Sequence, residues 1–419
     1  MLRLPMNRRE LLRLSTLAPA AAASICWLDI VADRAWAQTG ATGRKHKSCI
    51  VLFMSGGPSH SHTFDVKPKS SYKTIATSAP GVEISEHLPH VARQMHHLSL
   101  VRGMSTGDAN HETAHYLMRT GFRQGTAGLD YPHFGAMAAR QLVRDDTRMP
   151  NFVVLKPGSG SRQGHGAGFV GAQYAPMTMK DVGLGISNLS PPDSLEALDR
   201  RNALLGKQDE RFAREYKLDA AKSKIESYRK ALDLVHYQRA KEAFEIDRES
   251  EATKKLYGEG PFARQCLGAR RLIEAGVPFV EVMHPQYWDT HGGAEQGQKR
   301  LSEVLDQPMA GLLTDLADRG LLETTLVVWM GEFGRDFSGG NHYAKAWTTA
   351  FAGAGIAGGR VVGRTDAKAM TVEDRPVKVA DFTATIYRAL DIDYKQEITV
   401  GDRPLKITDN GAAVHELFA

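Results

Sequence analysis

Two short runs constrain this chain most. Lys47–Met54 (KSCIVLFM) and Thr325–Met330 (TLVVWM) are apolar at almost every position, and each empties at once into a glycine-bearing loop. A strand with one wet face alternates apolar and polar residues, whereas a run without that alternation belongs to a strand covered on both faces. Further short strand-like stretches occupy Leu98–Val101, Asn151–Leu155, Pro278–Met283, Thr348–Phe351 and Gly359–Gly363. Between them, helical spacing predicts helices over Pro89–His97, Asn110–Thr120, Tyr131–Arg144, Pro261–Ala275, Gln296–Arg319 and Val379–Leu390. Asn110 is the expected N-cap of the second and Gly121 its stop. Strands alternating with helices predict an α/β sandwich of three layers around a mostly parallel sheet. In such folds ligands gather in the crevice beyond the strands' carboxyl ends.

The first residues stand outside this pattern. Asn7–Arg13 reads NRRELLR, an apolar alanine-rich stretch runs from Leu14 to Leu28, and Ala35-Trp36-Ala37 supplies a small-x-small cleavage pattern. A basic start, a short apolar run and such a site make a secretory signal, and the paired Arg8 and Arg9 select twin-arginine (Tat) export. The apolar run is shorter than the ~20 residues that span a bilayer, which disfavours a membrane anchor. Residues 1–37 are therefore expected to be removed, leaving one domain over 38–419 that works in the periplasm or another extracytoplasmic space. Within it, 194–255 is charged and helically periodic and is read as a helical insertion; 157–192 is rich in Gly, Ser and Pro and is read as an irregular excursion. The net charge of +5 includes the arginines of the signal. No basic, aromatic-interleaved patch supports nucleic-acid binding. Cys49 and Cys266 are expected to be buried free thiols.

Polar clusters follow three of the strands. Ser55-Gly-Gly-Pro-Ser59-His60-Ser-His62 follows the first run, Trp288-Asp289-Thr-His291-Gly-Gly follows Pro278–Met283, and Gly331-Glu332-Phe333-Gly334-Arg335 follows Thr325–Met330, with Asn341-His342 shortly after. Carboxylate plus imidazole is the ligand mix of zinc, manganese or iron. Asp289, His291 and His342 form a two-histidine, one-carboxylate set for one divalent ion, with Glu332 as fourth ligand or base. Ser59 is the preferred nucleophile, with Ser55 the other candidate in a loop whose amides can hold an oxyanion. Arg335, and less directly Arg102, are candidates for pairing with an anionic substrate. His111-Glu-Thr-Ala-His115 fits the helical zinc pattern H-E-x-x-H, which leaves a protease reading open beside a plain helix start in which Glu112 complements the dipole.

Taken in order, SGGPSHSHTFDVKP, NHETAHYLMRTGF, WDTHGG, TLVVWMGEFGR, GGNHY and DFTATIYRAL resemble the bacterial domain-of-unknown-function family 1501 over about Lys47 to Leu390. That family is similar, more distantly, to the alkaline phosphatase and sulfatase superfamily, whose members are α/β sandwiches holding one or two divalent metals. The resemblance implies Asp289 and His291 in one metal site, Glu332 as a ligand, Phe333 where a histidine is usual, and His342 as the last histidine. It also likens Thr120-Gly121 to the end of the helix beside the nucleophile. Gly56 and Gly57 stand where the superfamily has an aspartate, which argues for one metal instead of two. His62 and Asn341 stand where the family usually has aspartates; His62 and His111 are expected to contact substrate. The implied activity is hydrolysis of a sulfate or phosphate ester of a small molecule or carbohydrate. The competing reading is a binding or assembly protein on a degenerate hydrolase scaffold.

Overall fold

The computed structural model describes residues 46–143, 148–156, 164, 166–182, 193–216 and 219–418. The twin-arginine segment and half of the Gly/Ser/Pro-rich stretch lie outside the described residues.

The first apolar run forms β1 (Ser48–Phe53), buried throughout. It lies in the middle of a nine-stranded sheet. In chain order the others are β2 (Leu98–Ser105), β3 (Phe152–Leu155), β4 (Met177–Met179), β5 (Phe279–Met283), β6 (Thr325–Met330), β7 (Trp347–Ala352), β8 (Val361–Val362) and β9 (Val377–Lys378). The spatial order is β8-β2-β7-β6-β1-β5-β3-β4, with β9 beside β2. β1 pairs in parallel with β6 (Ile50 opposite Val327) and with β5 (Ile50 opposite Val280). The sheet is parallel except at β7, which runs antiparallel to both β2 and β6. The chain between β6 and β7 holds only the small hairpin Gly334–Arg335/His342–Tyr343, and without a crossover helix the next strand has to run back.

Alternate residues of β1 face opposite layers, which is why the run carries no polar register. Ile50, Leu52 and Met54 join the core with α7 (Pro261–Glu274) and α8 (Ala294–Asp318). Cys49, Val51 and Phe53 join the core with α1 (His111–Thr120), α2 (Phe134–Gln141) and α9 (Val379–Ala389). Each buried Val, Leu or Ile of these strands contributes about 1.5–3 kcal/mol relative to exposure. The expected three-layer α/β sandwich is the architecture observed. Cys49 and Cys266 are free and sit in different cores, so the sheet itself separates them.

The charged segment after residue 193 forms α3 (Leu195–Tyr216), α4 (Asp219–His236), α5 (Gln238–Phe244) and α6 (Glu251–Tyr257). Among the described residues no helix is long and apolar enough to cross a membrane.

Candidate metal centre

The topology gathers polar side chains on one edge of the sheet. β6, β1 and β5 are parallel neighbours, so the loops carrying Glu332, Ser55 and Asp289 leave the same edge. β2 ends there too and leads into α1, which begins at His111. Because β7 runs the other way, its amino end lies at this edge and brings His342, just ahead of it.

Local chemistry then sets the positions. Asn110 caps α1, its side-chain oxygen accepting from the N–H of Glu112 at 3.0 Å and of Thr113 at 3.3 Å. This starts the helix at His111 and puts His115 one turn on, facing the same side. Gly121, at φ 80°, ends it. The loop after β5 folds tightly over the loop after β1, with the Trp288 N–H donating to the Ser55 carbonyl at 2.8 Å. That approach needs Gly56: its φ is +114°, and a Cβ there would lie 2.4 Å from the Asp289 nitrogen. Glycine at position 56 is thus a steric requirement here.

Two carboxylates organise the centre. Asp289 Oδ1 lies 3.0 Å from His342 Nε2 and 2.9 Å from His291 Nε2, and it also accepts from Arg335. Asp289 Oδ2 is 3.3 Å from His111 Nε2. That approach is an ion-pair distance without hydrogen-bond alignment, so the buried Nε2 has no hydrogen bond. Glu332 is fully buried, and its Oε1 faces His111 Nδ1 at 2.7 Å and His115 Nε2 at 3.1 Å while accepting the Gly56 N–H at 2.8 Å. Burial pushes the Glu332 carboxyl up, but the charges and hydrogen bonds of His115 and His111 outweigh it and hold it well below the usual range. Burial also opposes ionisation of Asp289, and Arg335 and His342 overcome it. His111 loses basicity to burial and regains more from Glu332 and Asp289, for a net rise.

The rings are the telling part. His342 Nδ1 lies 2.9 Å from the Ala109 carbonyl and its Nε2 3.0 Å from Asp289, and both partners only accept. A neutral imidazole has one N–H and cannot serve both. His111 repeats the arrangement, with Nδ1 on Glu332 and Nε2 toward Asp289. The His342 ring therefore needs either a second proton or a cation at Nε2, and the His111 Nε2, left without a hydrogen bond beside Asp289, is open to the same cation. Metal-bound histidines are held in this way, the far nitrogen donating to a carboxylate or carbonyl. His111, Asp289 and His342 offer atoms within 4.8 Å of one another, as do His111, His115 and Glu332.

Of the residues singled out in the sequence, Asp289, His291, His342, Glu332, Arg335 and His111 come together. His111 sits among the metal-capable donors, and Glu332 stands behind it. Arg335 is buried, with Nε on the Gly57 carbonyl at 2.9 Å, Nη1 on Gly340 at 3.2 Å, and Nη2 on Gly56 and Asp289. It clamps three loops. Ser59 and His62 pair with each other, Ser59 Oγ lying 2.7 Å from His62 Nδ1. Arg102 turns to Asp65 and to the carbonyls of Phe64 and Glu83. The hydroxyl that meets the cluster is Ser55, 3.2 Å from His115 Nε2. Glu112 is exposed, so the carboxylate beside the helix's two histidines is Glu332 and not the one within the motif. The i, i+4 spacing of His111 and His115 was the available signal; their partner from another strand was not.

The family described as "Protein of unknown function (DUF1501)" matches residues 46–418, and the chain belongs to it. No curated protein matches the sequence. Among solved structures the chain is similar to Ps i-CgsB, at 10% identity and a TM-score of 0.43, over 83% of this chain and 73% of that one. It is also similar to the PsFucS1 sulfatase from Pseudoalteromonas sp., at 12% identity and 0.37, over 90% and 72%. A third is the phosphonate monoester hydrolase of Agrobacterium radiobacter, at 12% and 0.40, over 88% and 77%.

Proposed function

We propose that this DUF1501 member is a metal-dependent hydrolase of a sulfate or phosphate ester, carried by a small molecule or carbohydrate, and that it works in the periplasm after Tat export. The observation that supports it is the pair of imidazoles, His111 and His342, whose far nitrogens are tied to acceptors while both Nε2 atoms converge on Asp289. Their donor set suits one zinc, manganese or iron ion, with His291 beside it. A divalent ion held there supplies Lewis acidity toward an ester oxygen. Glu332 and the Ala109 carbonyl keep the Nδ1 protons and fix the ring planes. Arg335 holds Asp289 in place and shares its charge. Ser55 brings a hydroxyl against His115.

One observation favours the second reading, a binding protein on a hydrolase-like scaffold. Four of the five N–H groups of Arg335 already donate within the protein, which leaves that buried guanidinium no free fork for an anionic ester.

Metal content of Tat-matured protein, measured by mass spectrometry beside Asp289→Ala/His342→Ala, tests the centre. Release of nitrophenol from aryl sulfate and aryl phosphate, followed by a panel of sulfated and phosphorylated sugars, tests the activity. Loss of about one metal per chain in the double variant, together with loss of turnover, is the expected result. Metal without turnover on any ester moves the assignment to the binding protein, and neither metal nor turnover in folded, exported protein overturns the proposal. Replacing Arg8 and Arg9 by lysine is expected to retain the protein in the cytoplasm; undiminished export would refute the Tat assignment.

A further inference from the structure

The histidine pair of α1 is only half used by that centre. His111 and His115 turn to the same side, and Glu332 stands against both, 2.7 Å from His111 Nδ1 and 3.1 Å from His115 Nε2. Ser55 Oγ completes the group, 3.2 Å from His115 Nε2. Two ligands bonded at about 2.0–2.2 Å to a tetrahedral ion lie roughly 3.3–3.6 Å apart, and the His111, His115 and Glu332 atoms, all within 4.8 Å of one another, close onto such an ion with small shifts. A second feature points the same way. Glu332 is fully buried, yet its Oε2 has no hydrogen-bond partner. A bare oxygen on a buried carboxylate is costly, and a cation beside it removes the cost.

We propose an inner cation seat formed by His111, His115 and Glu332, suited to a borderline divalent ion such as zinc, with the His111 ring bridging it to the outer seat at Asp289 and His342. The ring is oriented for this, its Nδ1 turned to the inner group and its Nε2 to the outer. As the second ion binds, the remaining ring proton of His111 leaves to solvent, and the two ions offset the imidazolate and both carboxylates. The bridge rests on the outer seat of the proposed hydrolase; the inner seat does not depend on hydrolysis.

The test is zinc stoichiometry of the full Tat-matured chain, stripped with chelator, reloaded and freed of excess ion. Wild type is expected to hold two zinc ions per chain, and His115→Ala and Asp289→Ala/His342→Ala one each. Glu332→Gln, which preserves shape, is expected to lose the inner ion as well, and thermal melts identify any variant that has merely unfolded. Loaded with copper(II), the bridged pair couples its spins and quenches the paramagnetic resonance signal, which returns in His115→Ala. One zinc in wild type, kept by His115→Ala and lost in Asp289→Ala/His342→Ala, overturns the inner seat and leaves the outer one standing. Zinc retained by Asp289→Ala/His342→Ala but lost from His115→Ala, without ester turnover in wild type, supports the inner seat and refutes the hydrolase.

Discussion

Arg335 illustrates how far a residue's role depends on what surrounds it. In the sequence it is an arginine after a core strand, read as an anion contact; in the fold it is a buried fork joining Gly56, Gly57, Gly340 and Asp289. Lysine offers a point charge and cannot span those acceptors. Arg335→Lys is therefore expected to fold less stably and to weaken metal binding by about 10–100-fold, measured by competition with a chromogenic chelator. Gly56→Ala is a harsher change, since its Cβ would meet backbone atoms of Trp288 and Asp289 at a positive φ. It is expected to cost about 1–3 kcal/mol in urea unfolding and to displace Asp289, lowering metal content. At this scale the sequence was legible for residue type and not for partnership. Asp289, His291, Glu332 and His342 announced themselves as metal-capable donors following strands. That Glu332 would stand behind His111, or that Ser59 would spend its hydroxyl on His62, depends on contacts between residues far apart in the chain.

Elements were more legible, because their signals are local. Asn110 and Gly121 bounded α1 in the sequence, and the cap hydrogen bonds and the left-handed residue are where they were expected. Asn110→Ala is expected to cost about 1 kcal/mol of stability, read by chemical denaturation. Since the cap fixes where His111 leaves the backbone, the same change is expected to weaken metal binding beyond that loss. β6 coincides with the run Thr325–Met330, whereas the strand expected over Gly359–Gly363 shrinks to Val361–Val362 at the sheet's edge. The direction of β7 was not readable from its own residues; it follows from the lack of a crossover helix before it.

For the molecule as a whole, acid is the informative stress. Burial pushes His62 and His284 down to about 4 from 6.5. Both are neutral in the fold, so the unfolded chain binds more protons between those values, and stability rises with pH through that window. Each depressed histidine contributes on the order of 3 kcal/mol that is present above about pH 6.5 and lost as pH falls toward 4. Thermal melts at pH 7 and pH 4.5 are expected to show a large drop, and His62→Gln is expected to reduce its size. Unchanged melts across that range would refute the assignment of neutral buried rings. The α/β layering was legible because strands covered on both faces leave long apolar runs. The gathering of loops on one edge followed from that layering, but which loops touch did not.

The position of β1 has a consequence for how the chain reaches this state. It is the first strand made and the centre of the sheet, yet its neighbours are β5 and β6, and Ser48 pairs with Thr325 across 277 residues. Until those distant segments have been synthesised, this fully buried, largely apolar strand has neither edge occupied. Contacts of such separation make folding slow and leave sticky edges open while it proceeds. Chains truncated before Thr325 are thus expected to aggregate rather than to form a smaller sheet. A protein built this way gains from finishing its fold inside a protected compartment before it crosses any barrier.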